Sequence, residues 1–455
     1  MSSNTDGLTG NVVRQGNSGY DSARMGYNHL FRHRPEAIVY CAETQDVVNA
    51  LAWARLNNVP VRVRSGGHCL EGWSSVDDGV VIDVSPMKSA HIDAASNIAT
   101  VGAGLNQLEA VTALGKAGCA APTGTEGTVG LVGATLGGGF GLLTRNFGMA
   151  SDNLLAAEVV VAPAGGGATT LVVDNENNAD LLWALRGAGN GNFGIVTSLT
   201  YRTHPLTQTI YVTATWSGLD RLPEVYEAWQ QAAPRADDRM TSQLEITRDE
   251  FQLIGALAGG TQAEALDILR PILSVGAPEV IAKDGNWADT YAEFQIPPAD
   301  ELANWKFLSQ FIYEPYPAEA VNLIQTFMRN APTPECNYFT NAFGGAVRNS
   351  EPAGGSAFAH RNALYYAEPG AGWGVRGGLP ASDDPLTPEC EAWIADFGEA
   401  LQPFIDGAYV NVPNRGMPDW ETAYWGTNVD RLRTVKAKFD PDNVFNYEQS
   451  VRAAE

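Results

Sequence analysis

Eight glycines fall within one short stretch of this chain, at Gly124, Gly127, Gly130, Gly133, Gly137, Gly138, Gly139 and Gly141. The side chains among them are apolar, including Val129, Leu131, Val132, Leu136 and Phe140. An apolar segment is buried, and buried backbone N–H and C=O groups must find partners. Glycine in such a place lets a large flat or phosphate-bearing ligand come close to the main chain. The chain as a whole leans the same way: 48 glycines and 25 prolines in 455 residues predict tight turns and close approaches, not long helical bundles. With 44% hydrophobic and 18% charged residues it can bury a large core, and at roughly 150 residues per domain the length predicts two or three domains. Against 29 Lys plus Arg stand 52 Asp plus Glu, a net charge of −23, which disfavours nucleic acid and anionic membrane surfaces as partners.

Cys41, Cys69, Cys119, Cys336 and Cys390 are scattered without a C-x-x-C pair, so zinc and iron–sulfur spacings are absent and no metal is expected. Their odd number fits reduced thiols. Met1 to Gly7 carries neither a basic start nor an apolar run, and the tract from Leu154 to Ala162 is interrupted by Glu158 and too short to span a bilayer. These features predict a cytoplasmic protein.

The first two hundred residues alternate strands and helices. Ile38–Tyr40, Val61–Arg64, Val80–Val84 and Ala99–Gly102 read as strands; Thr44–Asn57, with Thr44 as N-cap, and Asn106–Ala117 read as helices. The strand Val61–Arg64 runs straight into Ser65-Gly66-Gly67-His68. After His204-Pro205 the pattern changes to strands at Ile210–Trp216 and Gln243–Arg248, with helices at Leu222–Ala232, Gln262–Leu273 and Pro317–Met328, which predicts an antiparallel sheet with helices on one face. The expected division is 1–207, 208–404 and a C-terminal segment 405–455 returning to the first domain, with a helix at Asn428–Lys438.

Four stretches in this order carry a family resemblance: Arg64-Ser65-Gly66-Gly67-His68; Leu136 to Arg145; Leu182 to Gly187 with Gly191 to Thr197; and Lys436 to Phe445. Together they resemble the berberine-bridge-enzyme-like flavoproteins of the vanillyl-alcohol oxidase/p-cresol methylhydroxylase superfamily. The resemblance implies an α+β fold, an FAD domain plus an antiparallel-sheet substrate domain. It also implies that Arg64, Ser65, Gly66, Gly67, His68 and Cys69 hold the FAD diphosphate turn, with Cys69 itself structural. The cradle it implies further contains Gly124, Thr125, Thr128, Gly130, Gly133, Gly137, Gly138, Gly139, Gly141, Asn192, Gly194, Ile195, Val196 and Asn411. Under the same resemblance His68 is bonded covalently to the flavin, which makes the flavin a stronger oxidant and prevents its loss. Relatives with a second link carry a Cys in a G-T-C-P-T-V-G-like stretch; here Gly124-Thr125-Glu126-Gly127-Thr128-Val129-Gly130 places Glu126 there, so attachment through His68 alone is expected, as in hydroxynicotine oxidases.

On the substrate side, Ala357 to Glu368 is similar to the family's F-P-H-R strand. Alternation along a strand puts Tyr366 and Glu368 on one face. The matching positions in relatives face the flavin, where a carboxylate in an apolar pocket acquires a raised pKa and accepts a proton. The other reading of Glu368 is a solvated carboxylate at the strand end before Pro369-Gly370. Tyr409 and Asn411 are similar to the family's Y-x-N segment and are read on one strand face, with Asn411 donating to substrate or flavin. Val412 replaces the Tyr that serves as base in many sugar-oxidising relatives. Tyr424-Trp425 is read as lining or backing the pocket.

The expected function is an FAD-dependent oxidase passing a hydride from a small alcohol, hydroxylated aromatic or amine to flavin, with oxygen as acceptor and hydrogen peroxide as product. Alternatives are a mono- or oligosaccharide oxidase and a non-catalytic flavin-containing binding protein. The expected partners are a small-molecule substrate and oxygen, with the chain a monomer or homodimer.

Overall fold

The structure, a computed structural model, describes residues 6–296 and 301–453. The first five residues, on which the reading of the N-terminus partly rests, lie outside the described residues. A four-stranded sheet opens the chain in the order Asn11–Arg14, Ala37–Tyr40, Val80–Asp83, Val61–Arg64, the last three parallel. Parallel strands are covered on both faces and so read as unbroken apolar runs, and Ile38, Val39, Val80, Val81 and Ile82 are fully buried. The helix Thr44–Leu56 turns Val47, Ala50, Leu51 and Ala54 into the core. Its N-cap is Glu43, which forms a reciprocal box with Asp46, and not Thr44. The Thr44 hydroxyl is engaged elsewhere, donating to Glu158 Oε1 at 2.5 Å.

A five-stranded antiparallel sheet follows, in the order Ala90–Asp93, Ile98–Gly102, Ile195–Arg202, Leu154–Val161, Thr169–Val173. The glycine segment lies between the two sheets and contains a short helix, Leu131–Leu136, that the glycines conceal from periodicity. Here the chain touches itself through bare backbone. A Cβ on Gly130 would stand 2.5 Å from the Gly66 nitrogen, and one on Gly66 would overlap the Gly130 nitrogen in turn.

The second unit is an eight-stranded antiparallel sheet, in the order Glu279–Gly285, Thr209–Ser217, Glu250–Ala258, Met240–Ile246, Asn337–Ala342, Tyr365–Val375, Leu302–Phe307, with Gln310–Ile312 also pairing with Tyr365–Val375. Helices Leu222–Ala232, Gln262–Leu273, Ala318–Arg329 and Thr387–Leu401 bury their apolar residues against one face, forming a core that runs from Ile210 to Leu401. The other large core runs from Ala37 to Tyr201, gains Ala357, and resumes from Ala408 to Val451. The strand expected over Ala357–Glu368 begins only at Tyr365 and continues to Val375. Pro369 does not end it: its carbonyl accepts from Leu308 N at 3.1 Å.

Two buried arginines fasten the two units, and a buried lysine fastens the C-terminal segment to the first. Arg145, 1% exposed, donates to the carbonyls of Phe343 at 3.0 Å, Met240 at 2.8 Å and Ala236 at 2.8 Å. Arg186 donates to Leu154 O at 2.7 Å and Ala353 O at 2.7 Å, and Lys436 bridges Asp440 Oδ2 at 2.7 Å and Asn192 O at 2.7 Å. Among the described residues, no helix is long and apolar enough to cross a membrane.

The Gly66–Gly130 approach predicts a specific weakness. Gly130→Ala should lower the unfolding free energy by about 1–3 kcal/mol, the usual cost of overpacking, seen as an earlier midpoint in chemical denaturation. An unchanged midpoint would show that the two loops part freely.

Candidate active site

A cavity of about 570 Å³ lies between the two units. One wall is the turn Ser65–Cys69, the glycine segment and the strand start at Gly194 and Val196; the opposite wall is the open face of the eight-stranded sheet. In the turn, the backbone amides of Gly66, Gly67 and His68 donate to no other described residue, and Gly67 takes a left-handed φ of 74°. Consecutive free amides of this kind form an anion-binding concavity. The His68 ring stacks on Tyr27 with centroids 4.0 Å apart. Burial, aided by the charge of Arg376, pulls the His68 imidazole down to about 4, so the ring is neutral at pH 7.

On the far wall, Tyr365 and Ala367 point into the helix-side core while Tyr366 and Glu368 face the cavity. Tyr366 Oη donates to Glu368 Oε2 at 2.5 Å. Burial pushes the Glu368 carboxyl up to about 7; the Tyr366 hydrogen bond opposes this and the charge of Glu245 adds to it. Because the strand runs on through Pro369, Glu368 is its fourth residue and not a solvated end. Glu245, Phe339 and Glu368 face one another across three strands in a single row, the outer two backbones about 10 Å apart at two strand spacings.

Phe140 joins the walls, its ring 4.7 Å from Tyr366 and 5.0 Å from Tyr409. Tyr409 Oη accepts from Gly139 N at 2.9 Å and Asn411 Nδ2 at 2.7 Å. Its acceptor sites are filled and burial holds its pKa above the ordinary phenol value, so the hydroxyl is a donor to the cavity and not a base.

The structure brings most of the expected residues to this cavity: Ser65, Gly66, Gly67, His68, Cys69, Gly124, Thr125, Gly130, Gly133, Gly139, Gly194, Val196, Tyr366, Glu368, Tyr409 and Asn411. Several expectations are corrected. Arg64 is not among the residues that line the cavity and is ion-paired in the sheet with Asp83. Gly137 abuts the Asn411 side chain, Gly138 packs against Met149 and Phe358, and Gly141 abuts Thr123 O. These three glycines serve packing. Thr128 is tied to Glu126 Oε1, Asn192 carries the C-terminal segment through Val451 N at 2.9 Å, and Ile195 is core. Asn411 and Tyr409 sit in a turn closed by Val412 N to Tyr409 O, not on a strand. Both amide hydrogens of Asn411 are committed, to Ala134 O at 2.8 Å and to Tyr409, so it positions the phenol instead of donating to substrate. Tyr424 lines the cavity, whereas Trp425 is core, donating to Gly187 O at 3.2 Å.

The sequence reading missed Glu245, Phe339, Asn190 and Tyr27, all of which line the cavity. Polar Gln243 and Glu245 alternating within a central strand were the available signal for Glu245.

The residues fit a flavin nucleotide. Gly133 has open space where its side chain would be, and Asn190 Oδ1, on a cavity-lining residue, is a buried acceptor without a partner among the described residues. A family model described as an FAD binding domain matches residues 35–168, and one described as berberine and berberine like matches residues 408–452. YgaK of Bacillus subtilis (strain 168), named as an uncharacterized FAD-linked oxidoreductase, is 37% identical over 447 residues, covering 98% of this chain and 97% of its own. The chain belongs to the berberine-bridge-enzyme-like family of FAD-linked oxidoreductases. (R)-6-hydroxynicotine oxidase of Paenarthrobacter nicotinovorans is 36% identical over 199 residues, 44% of this chain and 42% of that one. Among solved structures, that of Physcomitrella patens BBE-like 1 matches with a TM-score of 0.87 and 27% identity, over 98% of this chain and 97% of that one. Membership makes the chain an FAD-dependent oxidoreductase with the two-domain fold of these flavoenzymes.

The open position at Gly133 separates cofactor fit from folding. Gly133→Ala lies in the helix Leu131–Leu136, so it should leave the stability of the flavin-free protein unchanged or raise it by up to about 1 kcal/mol. The flavin content of the purified protein should nevertheless fall. Full loading would mean that the cofactor does not pass this helix.

Proposed function

We propose that this family member is an oxidase acting on a compact alcohol, hydroxylated aromatic or amine. The observation that carries the reading is the Tyr366–Glu368 pair, facing His68 across one cavity with the carboxyl tuned to about 7. Residues 1–207 and 405–455 hold the FAD and residues 208–404 cover it. Bound FAD supplies the two-electron acceptor for a substrate hydride, and oxygen takes the electrons on to give hydrogen peroxide.

The remaining chemistry belongs to the chain. Glu368 accepts the substrate O–H or N–H proton, a role suited to a carboxyl whose pKa is near the operating pH. Tyr366 holds that carboxylate by its short hydrogen bond and, with Phe140 and Tyr409, forms an aromatic wall against which an apolar substrate body packs. The Tyr409 hydroxyl donates into the cavity. Glu245 and Glu368, with no lysine or arginine among the lining residues of that wall, favour a neutral or cationic substrate over an acid.

The link to the protein is through His68 alone, since the Glu126 carboxylate cannot form a thioether and is held by Thr128 Oγ1 at 2.9 Å. Acid-precipitated protein should stay yellow, and a tryptic peptide spanning His68 should carry the mass of FAD. Release of all colour into the supernatant would exclude the bond.

An anaerobic absorbance screen of alcohols, amines and sugars identifies the substrate by flavin bleaching; bleaching by sugars alone, with lactone formation, would overturn the compact-substrate reading. With the substrate in hand, Glu368→Gln should slow flavin reduction by about 10² to 10⁴-fold, the usual worth of a positioned base. In the wild type, protonation below about 7 disables the acceptor, so the reduction rate falls as pH drops through that value. Glu368→Gln should lack this limb. The Tyr366 hydrogen bond lowers the Glu368 pKa, so Tyr366→Phe should move the limb to higher pH. Reduction within twofold of wild type in Glu368→Gln would place the base elsewhere.

A further inference from the structure

The first 34 residues supply a side chain to the cavity that no motif announces. Tyr27 stacks on His68, centroids 4.0 Å apart and planes 19° from parallel. The guanidinium of Arg376 lies over the same tyrosine ring, 4.9 Å from its centroid. The three groups are fixed by more than ring contact. Tyr27 N donates to Gly67 O at 2.9 Å, pinning the tyrosine to the His68 turn. Arg376 Nη2 donates to Tyr27 O at 3.1 Å and pairs with Glu301 at 3.1 Å, while Nη1 donates to His29 Nε2 at 3.1 Å. Next along the chain, Asn28 Nδ2 donates to both Leu70 O and Trp305 O at 2.7 Å. A strap from the N-terminal segment thus joins the flavin-side turn to the substrate-side sheet, with Arg376 directly beyond the strand that carries Glu368.

We propose that Tyr27 and Arg376 are positioning residues for covalent attachment of the flavin to His68. The proposal rests on the single histidyl link proposed above. A histidine that acts through one nitrogen is usually oriented by a hydrogen bond at the other. The His68 ring makes no hydrogen bond to another described residue, and the stack takes over that duty: it fixes the ring plane while leaving both nitrogens free of protein partners. The Arg376 charge behind Tyr27 also disfavours an imidazolium, which keeps the nitrogen lone pair available. In attachment, a bond forms between an imidazole nitrogen and the flavin 8α carbon. One methyl C–H bond and the imidazole N–H bond break, releasing two protons and two electrons, and dioxygen takes up both to give hydrogen peroxide. Holding the imidazole in one plane raises the rate of such a step by restricting the encounter.

The test compares total with acid-stable flavin in purified full-length variants. Wild type should hold its flavin in acid-stable form. Tyr27→Phe keeps the ring and should match it. Tyr27→Leu should still bind FAD, but its acid-stable fraction should fall at least fivefold, and attachment on incubation with added FAD should slow about tenfold. Arg376→Gln should lower the acid-stable fraction at least twofold. An unchanged fraction in Tyr27→Leu with acid-stable wild type overturns this inference alone. Equal loss in Tyr27→Phe and Tyr27→Leu overturns it too, as does loss of all flavin in Tyr27→Leu, which marks the residue as binding frame only. Acid-labile flavin in the wild type would instead overturn the covalent link itself.

Discussion

The structure depends on main chain meeting main chain at Gly66 and Gly130. Neither glycine has room for a Cβ because each is against the backbone of the other. The turn after a parallel strand and the loop before a buried helix are thereby brought to one line, and the cavity opens along it. The same device recurs around the rim. Gly137 admits the Asn411 side chain, Gly187 admits the Phe358 backbone, and Gly345 admits the Arg145 carbonyl. Each of these contacts ties a segment of the second unit or the C-terminal tail to the first. At Gly133, by contrast, a Cβ would meet nothing within 4 Å, and the cavity is open there.

Buried cations fasten what the glycines allow to approach. Arg145, Arg186 and Lys436 spend most of their donors on carbonyl oxygens, so their charge is solvated by fixed dipoles in place of water. Burial pulls all three pKa values down, yet the donor geometry keeps each group in place. Losing one would strand several buried carbonyls at once, each costing about 1–3 kcal/mol. The motif segments Leu136–Arg145, Leu182–Gly187 and Lys436–Phe445 each contain one of these fasteners, and the first also lines the cavity through Gly139 and Phe140.

That division also decides what the sequence could reveal. Alternation along Tyr365–Glu368 was sufficient to set Tyr366 and Glu368 on one face, because strand period does not depend on the rest of the fold. The helices Leu222–Ala232 and Gln262–Leu273 were legible to the residue, since each buries a regular stripe. Arg64 was misread because a strand-end arginine beside a glycine turn faces either side of the sheet, and only the neighbour Asp83 decides. The alternation of Gln243 and Glu245 hinted at a polar face, but the meeting of Glu245 with Glu368 runs through Phe339 across strands separated by more than a hundred residues, which no local pattern shows. Tyr27 was invisible for a related reason: its segment has almost no periodic structure, and its place is set by hydrogen bonds to Gly67 and, through Asn28, to Leu70 and Trp305.

The two walls of the cavity are electrostatically unlike, and this follows from their backbones. The flavin-side wall is made of a turn, whose amides at Gly66, Gly67 and His68 donate to no other described residue, and a glycine segment, with Arg62 and Glu126 as its charged lining. The substrate-side wall is a sheet whose ladder bonds are complete, so only side chains can give it charge, and those at its centre are Glu245 and Glu368. Two buried carboxylates in one row cannot both be fully ionised at low cost, and each is pushed upward in pKa by burial. Placing the carboxylates on a sheet, where the pleat fixes their spacing, holds both at set places in the cavity.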